Sequence, residues 1–423
     1  MSIVWWPELS KFESNRKLAE IPLLPRYRGR QYNNAMITTL TALVLTSSVA
    51  LAEPSLRDDL ESTLSGMAAS ALAADMDGYL EYIWQGEPTL YQEHWAWAKD
   101  IERIAPDVLI YELMSEPVQE GDEAFADLRI TWNTENWDGA NRVIDLPVRF
   151  VHEDGKWFYA DRDWEEKDGD GVRILFVAGL EESADRALEI WPSIKESVEA
   201  GFARTLDHPQ VIKMYTSMPE LQFSIFPAYV EPLGGWNEPM ESIKLVGRDF
   251  SRGHLKGVIS HEYGHAMMFA VPPHDIAVER AHAVPWWVHE GVAEFAAQGF
   301  TPNRGRSKFA VEHWLDTGEL RQWDELTDFY TVKPEHYGQV YTQGRHMIGY
   351  IDETFGADAR REMMESLMEG MTLNEASEHA LGESWDTVDQ EWRMSIAQSL
   401  AERKAQEAEE KAKKDAEELK KGS

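Results

Sequence analysis

The chain has 423 residues, 43% of them hydrophobic, and a formal net charge of −34. This length exceeds that of one typical domain and predicts two folded units. The negative charge argues against nucleic acid and anionic membrane surfaces as partners, because affinity for both depends on Lys and Arg. There is no cysteine, which excludes disulfide bonds and thiolate metal sites.

Residues 1–52 have the layout of a signal peptide. Arginines precede an apolar run at 36–52, and Ala50-Leu51-Ala52 matches a small-x-small cleavage site. We therefore expect export to the periplasm or the extracellular medium, with no stable membrane insertion after cleavage. About 35 residues precede the run, which is long for a charged leader region, so translation from Met36 stays open. An uncleaved leader would instead anchor the protein, although the run is marginal for a ~20-residue span.

Residues 53–165 predict an α+β domain. The apolar spacing from 55 to about 85 is helical, and alternation at 126–132 and 148–150 then predicts strands. Asp154-Gly155 predicts a hairpin turn. Helices followed by an antiparallel meander indicate an α+β fold. The element order and the closing stretch at 155–160 resemble the cone-shaped domains related to nuclear transport factor 2 (NTF2-like domains).

A second domain is predicted at 172–397. Residues 165–171 are acidic and glycine-rich and predict a solvated linker, since they do not match the ligand pattern of an EF-hand. From Leu255 onward the pattern is mainly helical, so a sheet is followed by helices. Residues 398–423 predict a solvated helix or a disordered tail. Strands are predicted at 172–177, 211–215, 221–226 and 242–246, and a long helix at 181–202.

The segment His261-Glu262-Tyr263-Gly264-His265 is an HExxH motif. Residues four apart share a helix face, so His261 and His265 can bind one metal ion. Glu262 would then lie beside the ion, where it can take a proton from the attacking water. Apolar flanks favour the helix, and Pro272-Pro273 ends it. By itself, the motif also fits a polar helix face with two ordinary histidines.

A second motif, Trp286-Trp287-Val288-His289-Glu290-Gly291-Val292-Ala293-Glu294, is predicted to open another helix after Pro285. An aromatic pair followed by Glu-Gly-x-Ala-Glu resembles the gluzincin metallopeptidases, most closely their peptidase MA-like members. The resemblance implies a thermolysin-like domain that binds Zn²⁺. It also implies that Glu290 is the third zinc ligand and that Glu294 orients a ligand histidine. An ordinary exposed carboxylate is an equal interpretation of Glu294.

The insert of 24 residues between His265 and Glu290 is longer than in gluzincin aminopeptidases. Three further histidines lie near it, and one of them could replace Glu290 as a ligand. We expect His274 and His282 to lie in a loop. We expect His289 to point away from Glu290, since adjacent residues do not share a helix face.

Two looser matches lie on either side of these motifs. Tyr341-Thr342-Gln343-Gly344 opens a predicted helix and resembles the Tyr-x-x-Gly segment of gluzincin aminopeptidases. This implies that Tyr341 hydrogen-bonds the oxyanion, with Tyr337 or a purely packed tyrosine as alternatives. Gly234-Gly235-Trp236-Asn237-Glu238 stands where that family has the edge strand that pairs with substrate. Asn237-Glu238 departs from the family's Glu-Asn, so N-terminal recognition is not supported, and a surface turn remains the alternative.

The sequence therefore predicts a zinc metallopeptidase that acts on peptide or protein substrates, with Glu262 as general base and Tyr341 as oxyanion donor. Three protein ligands with one open position would make the zinc catalytic. The alternative is an exported binding or scaffold protein with a structural or vestigial zinc site. Residues 53–165 carry no recognisable catalytic set and are expected to present a substrate or a partner. The substrate, the mode of cleavage and the oligomeric state are not predicted.

Overall fold

The computed structural model describes residues 55–247, 251–300 and 304–421. The predicted leader at 1–52 and its cleavage site lie outside the described residues. None of the helices within these ranges combines the length and apolarity needed to cross a membrane.

The N-terminal region (residues 56–162) packs three helices against an antiparallel sheet. Its sheet has the strand order β1-β3-β4-β5, and β2 pairs with β3. Buried residues alternate with partly exposed ones along β3, so one face of the sheet packs on the core. The elements are α1 (Leu56–Leu72), α2 (Met76–Leu80), α3 (Pro88–Arg103), β1 (Val108–Leu113), β2 (Val118–Glu120), β3 (Glu123–Asn133), β4 (Arg142–Glu153) and β5 (Lys156–Arg162).

The helical pattern predicted at 55–85 is broken in the structure. The α1 helix ends at Leu72, and Ala74 takes a positive φ of 55° before α2 begins. Asp75 caps the new helix by accepting a hydrogen bond from the backbone N–H of Gly78. Apolar spacing continues across this break, which is why the sequence pattern does not reveal it.

A second, mixed sheet follows, with the strand order β6-β7-β8-β10-β9. The central strands β7, β8 and β10 are parallel, whereas β6 and β9 run antiparallel at the two edges. The connection from β7 to β8 passes through α4, at the position predicted for the long helix. The elements are β6 (Glu165–Gly169), β7 (Val172–Phe176), α4 (Glu181–Phe202), β8 (Gln210–Tyr215), α5 (Met218–Ile225), β9 (Gly235–Trp236) and β10 (Ile243–Val246).

Two predictions in this part of the chain are wrong. Residues 165–169 form β6 instead of a linker, because their backbone pairs with β7 while most of their side chains stay exposed. Residues 221–226 are not a strand. Residues 221–225 belong to α5, in which Pro219 occupies the first turn and fixes a helical φ, and Phe226 is the C-cap.

The rest of the protein is helical. The elements are α6 (Arg252–Phe269), α7 (His274–Ala283), α8 (Trp286–Ala296), α9 (Arg304–Thr317), α10 (Tyr337–Phe355), α11 (Ala357–Met368), α12 (Leu373–Leu381) and α13 (Trp385–Lys421), with short 3₁₀ turns at Ala297–Gly299, Trp323–Leu326 and Pro334–His336. The predicted tail at 398–423 continues α13 as a mostly exposed helix as far as Lys421. His274 and His282 lie on α7 and not in a loop, because Pro273 starts a helix there.

Close backbone contacts join α8 to α10. A Cβ atom on Gly344 would lie 2.4 Å from the carbonyl oxygen of Trp287, and one on Gly291 would lie 2.6 Å from the carbonyl carbon of Gly344. Only glycine fits at both positions. Since Gly291 follows Glu290 and Gly344 comes one turn after Tyr341, this contact brings the two motifs together.

The predicted fold class is confirmed as α+β. A curved antiparallel sheet with helices comes first, and a sheet followed by a helical half comes second. The described residues from Leu56 onward form one compact unit, and α3 contacts α5 across the boundary between the two sheets.

Candidate metal centre

Side chains from α6 and α8 converge in the buried centre of the helical half. Nε2 of His261 lies 3.2 Å from Nε2 of His265 and 3.2 Å from Oε2 of Glu290. Nε2 of His265 lies 3.6 Å from the same carboxylate oxygen. The structure thus brings together the three residues predicted as ligands, and all three are buried.

These separations fit a single tetrahedral metal ion. Zinc bonds of about 2.0–2.2 Å to His nitrogen and carboxylate oxygen separate the ligand atoms by about 3.3–3.6 Å. Two imidazoles and one carboxylate also match the three protein ligands of catalytic zinc sites. His261, His265 and Glu290 could therefore hold a metal ion such as Zn²⁺ and leave a coordination position for water or substrate.

Neighbouring groups orient two of these side chains. The indole N–H of Trp286 donates a hydrogen bond of 2.8 Å to Oε1 of Glu290, which leaves Oε2 to face the histidines. Nδ1 of His261 lies 3.4 Å from Oε1 of Glu294. Arg345 in turn lies 3.7 Å from the other oxygen of Glu294. Partners of this kind hold a ligand ring in the orientation and tautomer that a metal requires.

Charge in the cluster favours a cation. Burial opposes protonation of His261, but the carboxylates of Glu290 and Glu294 raise its pKa to about 10. Burial also opposes ionisation of Glu290, but its hydrogen bonds to the histidines lower its pKa to about 2. Burial lowers the pKa of His265 to about 4, so its ring is neutral at pH 7. A metal ion would supply the positive charge once His261 is deprotonated.

Glu262 lies between the metal cluster and the edge of the second sheet. It is fully buried, and a Cβ atom on Gly235 would come within 2.7 Å of its Oε1. Gly235 belongs to β9, which is an edge strand and not the surface turn that the sequence left as the alternative. The glycine therefore lets the strand approach the carboxylate closely.

The predicted oxyanion donor lies beside the same cluster. The ring of Tyr341 stacks on His261 with 6.1 Å between centroids, and it also meets Trp286 edge-on at 6.2 Å. Tyr337, the alternative, packs against Trp286 at 5.1 Å. The ring of Tyr341 is therefore the one next to a ligand histidine.

The three extra histidines are not part of the His-His-Glu cluster found among the described residues, although the ring of His289 lies 6.4 Å from that of His265. The Nε2–H group of His289 donates a hydrogen bond of 2.8 Å to the backbone oxygen of Ala281. Burial lowers the pKa of His289 to about 3. His274 and His282 lie on α7 and are not part of the metal-type cluster found among the described residues.

Fold and geometry together define an α+β protein with a buried His-His-Glu centre on two packed helices. A family model described as the Peptidase MA superfamily matches residues 198–398. The match spans all the helices that carry the centre and supports a peptidase-type fold of the gluzincin kind for this region. No curated protein matches the chain. The family match does not reach the N-terminal region, whose NTF2-like resemblance stays a prediction.

Sequence reasoning missed two contributors to the site. The sequence identifies Trp286 only as half of an aromatic pair, although its spacing of four from Glu290 could have predicted their contact. The close approach of Gly235 to Glu262 has no such signal, because it depends on packing between a strand and a helix.

Proposed function

We propose that this protein hydrolyses peptide bonds with a zinc ion held by His261, His265 and Glu290. The convergence of their three ligand atoms at separations of 3.2–3.6 Å carries the proposal. The Peptidase MA superfamily match over the same helices supports it. Zinc bound there would polarise the scissile carbonyl and acidify the attacking water.

The protein's own residues would divide the remaining work. Glu262 accepts the proton of the attacking water and passes it to the leaving amine. Tyr341 donates a hydrogen bond to the oxyanion. The edge strand β9 offers its backbone to an extended peptide. Glu294 and Trp286 hold His261 and Glu290 in place.

Replacing Glu262 by Gln tests the function directly. The variant keeps the size of the side chain but removes the base, so hydrolysis of an internally quenched peptide library should fall by about 10²–10⁴-fold. Zinc content, measured by mass spectrometry of the purified protein, should not change. Glu279→Gln on the exposed face of α7 is the matched control and should keep full activity.

Two other results would contradict the proposal. Full activity of Glu262→Gln would refute the mechanism. Bound zinc in a wild-type protein that cleaves no peptide would favour the alternative, a binding or scaffold protein on a peptidase fold.

We also propose that the protein is exported and that its leader is removed after Ala52. Sequencing the N-terminus of exported protein tests this expectation. An N-terminus at Met1 or Met36 would contradict cleavage and favour a membrane anchor.

A further inference from the structure

Side chains of the N-terminal region donate hydrogen bonds to the backbone of one segment in the second half of the chain. This clamped segment comprises residues 223–229, at the end of α5 and in the loop toward β9. Its carbonyl oxygens accept hydrogen bonds from Trp97 Nε1 to Phe223 (2.9 Å), Trp132 Nε1 to Pro227 (3.1 Å), Asn136 Nδ2 to Ala228 (2.8 Å) and Arg142 Nη1 to Tyr229 (2.9 Å). The N-terminal region thus binds three consecutive carbonyl groups, those of residues 227–229.

The last bond of this four-bond clamp holds the backbone of Tyr229. Its ring packs edge-on against Trp236 of β9 at 5.5 Å. The neighbouring residue on that strand is Gly235, the residue that adjoins Glu262. Tyr229 therefore lies along the same edge strand that borders the proposed general base.

The hydroxyl of Tyr229 is buried and has no hydrogen-bond partner within the described ranges. An unsatisfied buried hydroxyl is destabilising, so its presence calls for another reason. Burial, and then the negative charges of Glu231, Glu290 and Glu262, raise its pKa well above the usual value. The group therefore stays protonated and can act as a hydrogen-bond donor at neutral pH.

We propose that Tyr229 contacts substrate and that its hydroxyl donates a hydrogen bond to a peptide carbonyl oxygen beside β9. The acidic groups around it disfavour an anionic ligand and leave a neutral acceptor. The N-terminal region then has a defined role, because its four hydrogen bonds hold Tyr229 in position. This inference rests on the proposed peptidase function and adds a residue and a region to it.

Tyr229→Phe tests the contact by removing only the hydroxyl. We expect kcat/KM on a peptide chosen from the quenched library to fall about tenfold, as for the loss of one substrate hydrogen bond. Zinc content should not change. The melting temperature should not fall, because the hydroxyl bonds to nothing in the described protein.

The matched control is Tyr79→Phe in the N-terminal region. The hydroxyl of Tyr79 is hydrogen-bonded to Nδ1 of His94 at 2.8 Å, away from the metal centre. This variant should lose thermal stability and keep its kcat/KM. Tyr229→Phe with wild-type kcat/KM, or with zinc and stability lost together with activity, would overturn the substrate role.

Arg142→Ala tests the role of the clamp. If Arg142 acts through Tyr229, the effects of Arg142→Ala and Tyr229→Phe on kcat/KM should not be additive. The double variant should then be about as active as the less active single variant. Additive losses would overturn the role of the N-terminal region. If Arg142→Ala does not fold, Asn136→Ala removes the neighbouring bond and serves the same comparison.

The proposed function and this inference fail in different ways. A wild-type protein that cleaves no peptide, like its Glu262→Gln variant, would refute the function and the inference with it. A wild-type protein that cleaves peptides while Tyr229→Phe cleaves them equally well would refute the inference alone.

Discussion

Two groups of buried charged side chains differ in how their charges are balanced. One, the lysine cluster, joins the N-terminal region to the second sheet and consists of Glu93, Asp161, Lys213, Glu241 and Lys244. The other is the candidate metal centre on α6 and α8. Both are buried in protein, yet within the described ranges only the first places lysine side chains between its carboxyl groups.

The lysine cluster satisfies itself. Lys213 lies 2.6 Å from Glu93 and is also paired with Asp161, and Lys244 lies 2.8 Å from Glu241. Burial raises the pKa of Glu241, and the charge of Lys244 opposes that rise. Each lysine thus has a carboxyl partner within the cluster. Such a cluster positions the two sheets and calls for no ligand.

Among the described residues, the metal centre has no lysine between its acceptor atoms. Acceptor atoms of His261, His265 and Glu290 converge on one another, and only a cation or a shared proton stabilises that arrangement. Burial of charged side chains therefore does not by itself mark a functional site. The convergence of ligand-atom lone pairs on one point is the better indication of a metal site.

The largest effect should come from breaking the lysine cluster. Lys213→Met leaves Glu93 and Asp161 buried without their shared cation and should cost about 3–5 kcal/mol of unfolding free energy at pH 7. Urea denaturation measures it. Lys99→Met, at an exposed pair, is the control. The folded fraction of Lys213→Met should still bind zinc, and loss of zinc from it would show that the two clusters are coupled.

The loss of unfolding free energy in Lys213→Met should also depend on pH, in a direction that the pKa shifts define. Lys213 lowers the pKa of Asp161 and Glu93 against the opposing effect of burial. Carboxyls with depressed pKa stabilise the wild type above their unfolded values near ~4, and this stability is lost as the pH falls. In Lys213→Met the effect of burial is opposed only by other neighbours, such as Lys244 near Glu93 and Trp164 at Asp161, and protonation of the carboxyls relieves the strain. The stability difference should therefore shrink from pH 7 toward pH 4, and a constant difference would contradict this account.

Tyr341→Phe tests the proposed role of Tyr341 at the candidate metal centre. If Tyr341 supplies an oxyanion hydrogen bond, kcat should fall by about 10²–10³-fold with little change in zinc content. Tyr337→Phe is the matched control, since its ring also packs on Trp286. A larger loss in Tyr337→Phe would assign the oxyanion role to the alternative tyrosine.

The smallest effect is expected at Glu294. Glu294→Gln removes the charge beside Nδ1 of His261 and should weaken zinc binding about 10–100-fold, as for other groups that orient ligand histidines. Competition with a chromogenic chelator measures the affinity. Glu279→Gln should bind zinc like the wild type. An unchanged affinity in Glu294→Gln would support the interpretation of Glu294 as an ordinary exposed carboxylate.

The sequence predicted the parts that depend on local spacing. The HExxH helix, the helix after Pro285 and α4 follow from periodicity and capping residues. Residues 221–226 were misassigned because a short apolar run fits a strand and a buried helix equally well. The β6 strand was missed because an exposed edge strand has no buried face and therefore no alternation.

Tyr229 could not be predicted in the same way. Its position depends on hydrogen bonds from Trp132 and Arg142, which lie 95 and 87 residues from the carbonyls they bind. No local pattern records a contact of that range. The N-terminal region is expected to present a substrate or a partner. Its four hydrogen bonds to the clamped segment are a physical basis for that expectation.

The glycine contact between α8 and α10 limits how the site can be redesigned. Because the backbones touch at Gly291 and Gly344, the spacing between Glu290 and Tyr341 is fixed by main-chain atoms and not by side chains that could adopt other rotamers. Under the proposed function, selection for new peptide specificity should therefore leave these two helices unchanged. The accepted changes should collect in the clamped segment and β9.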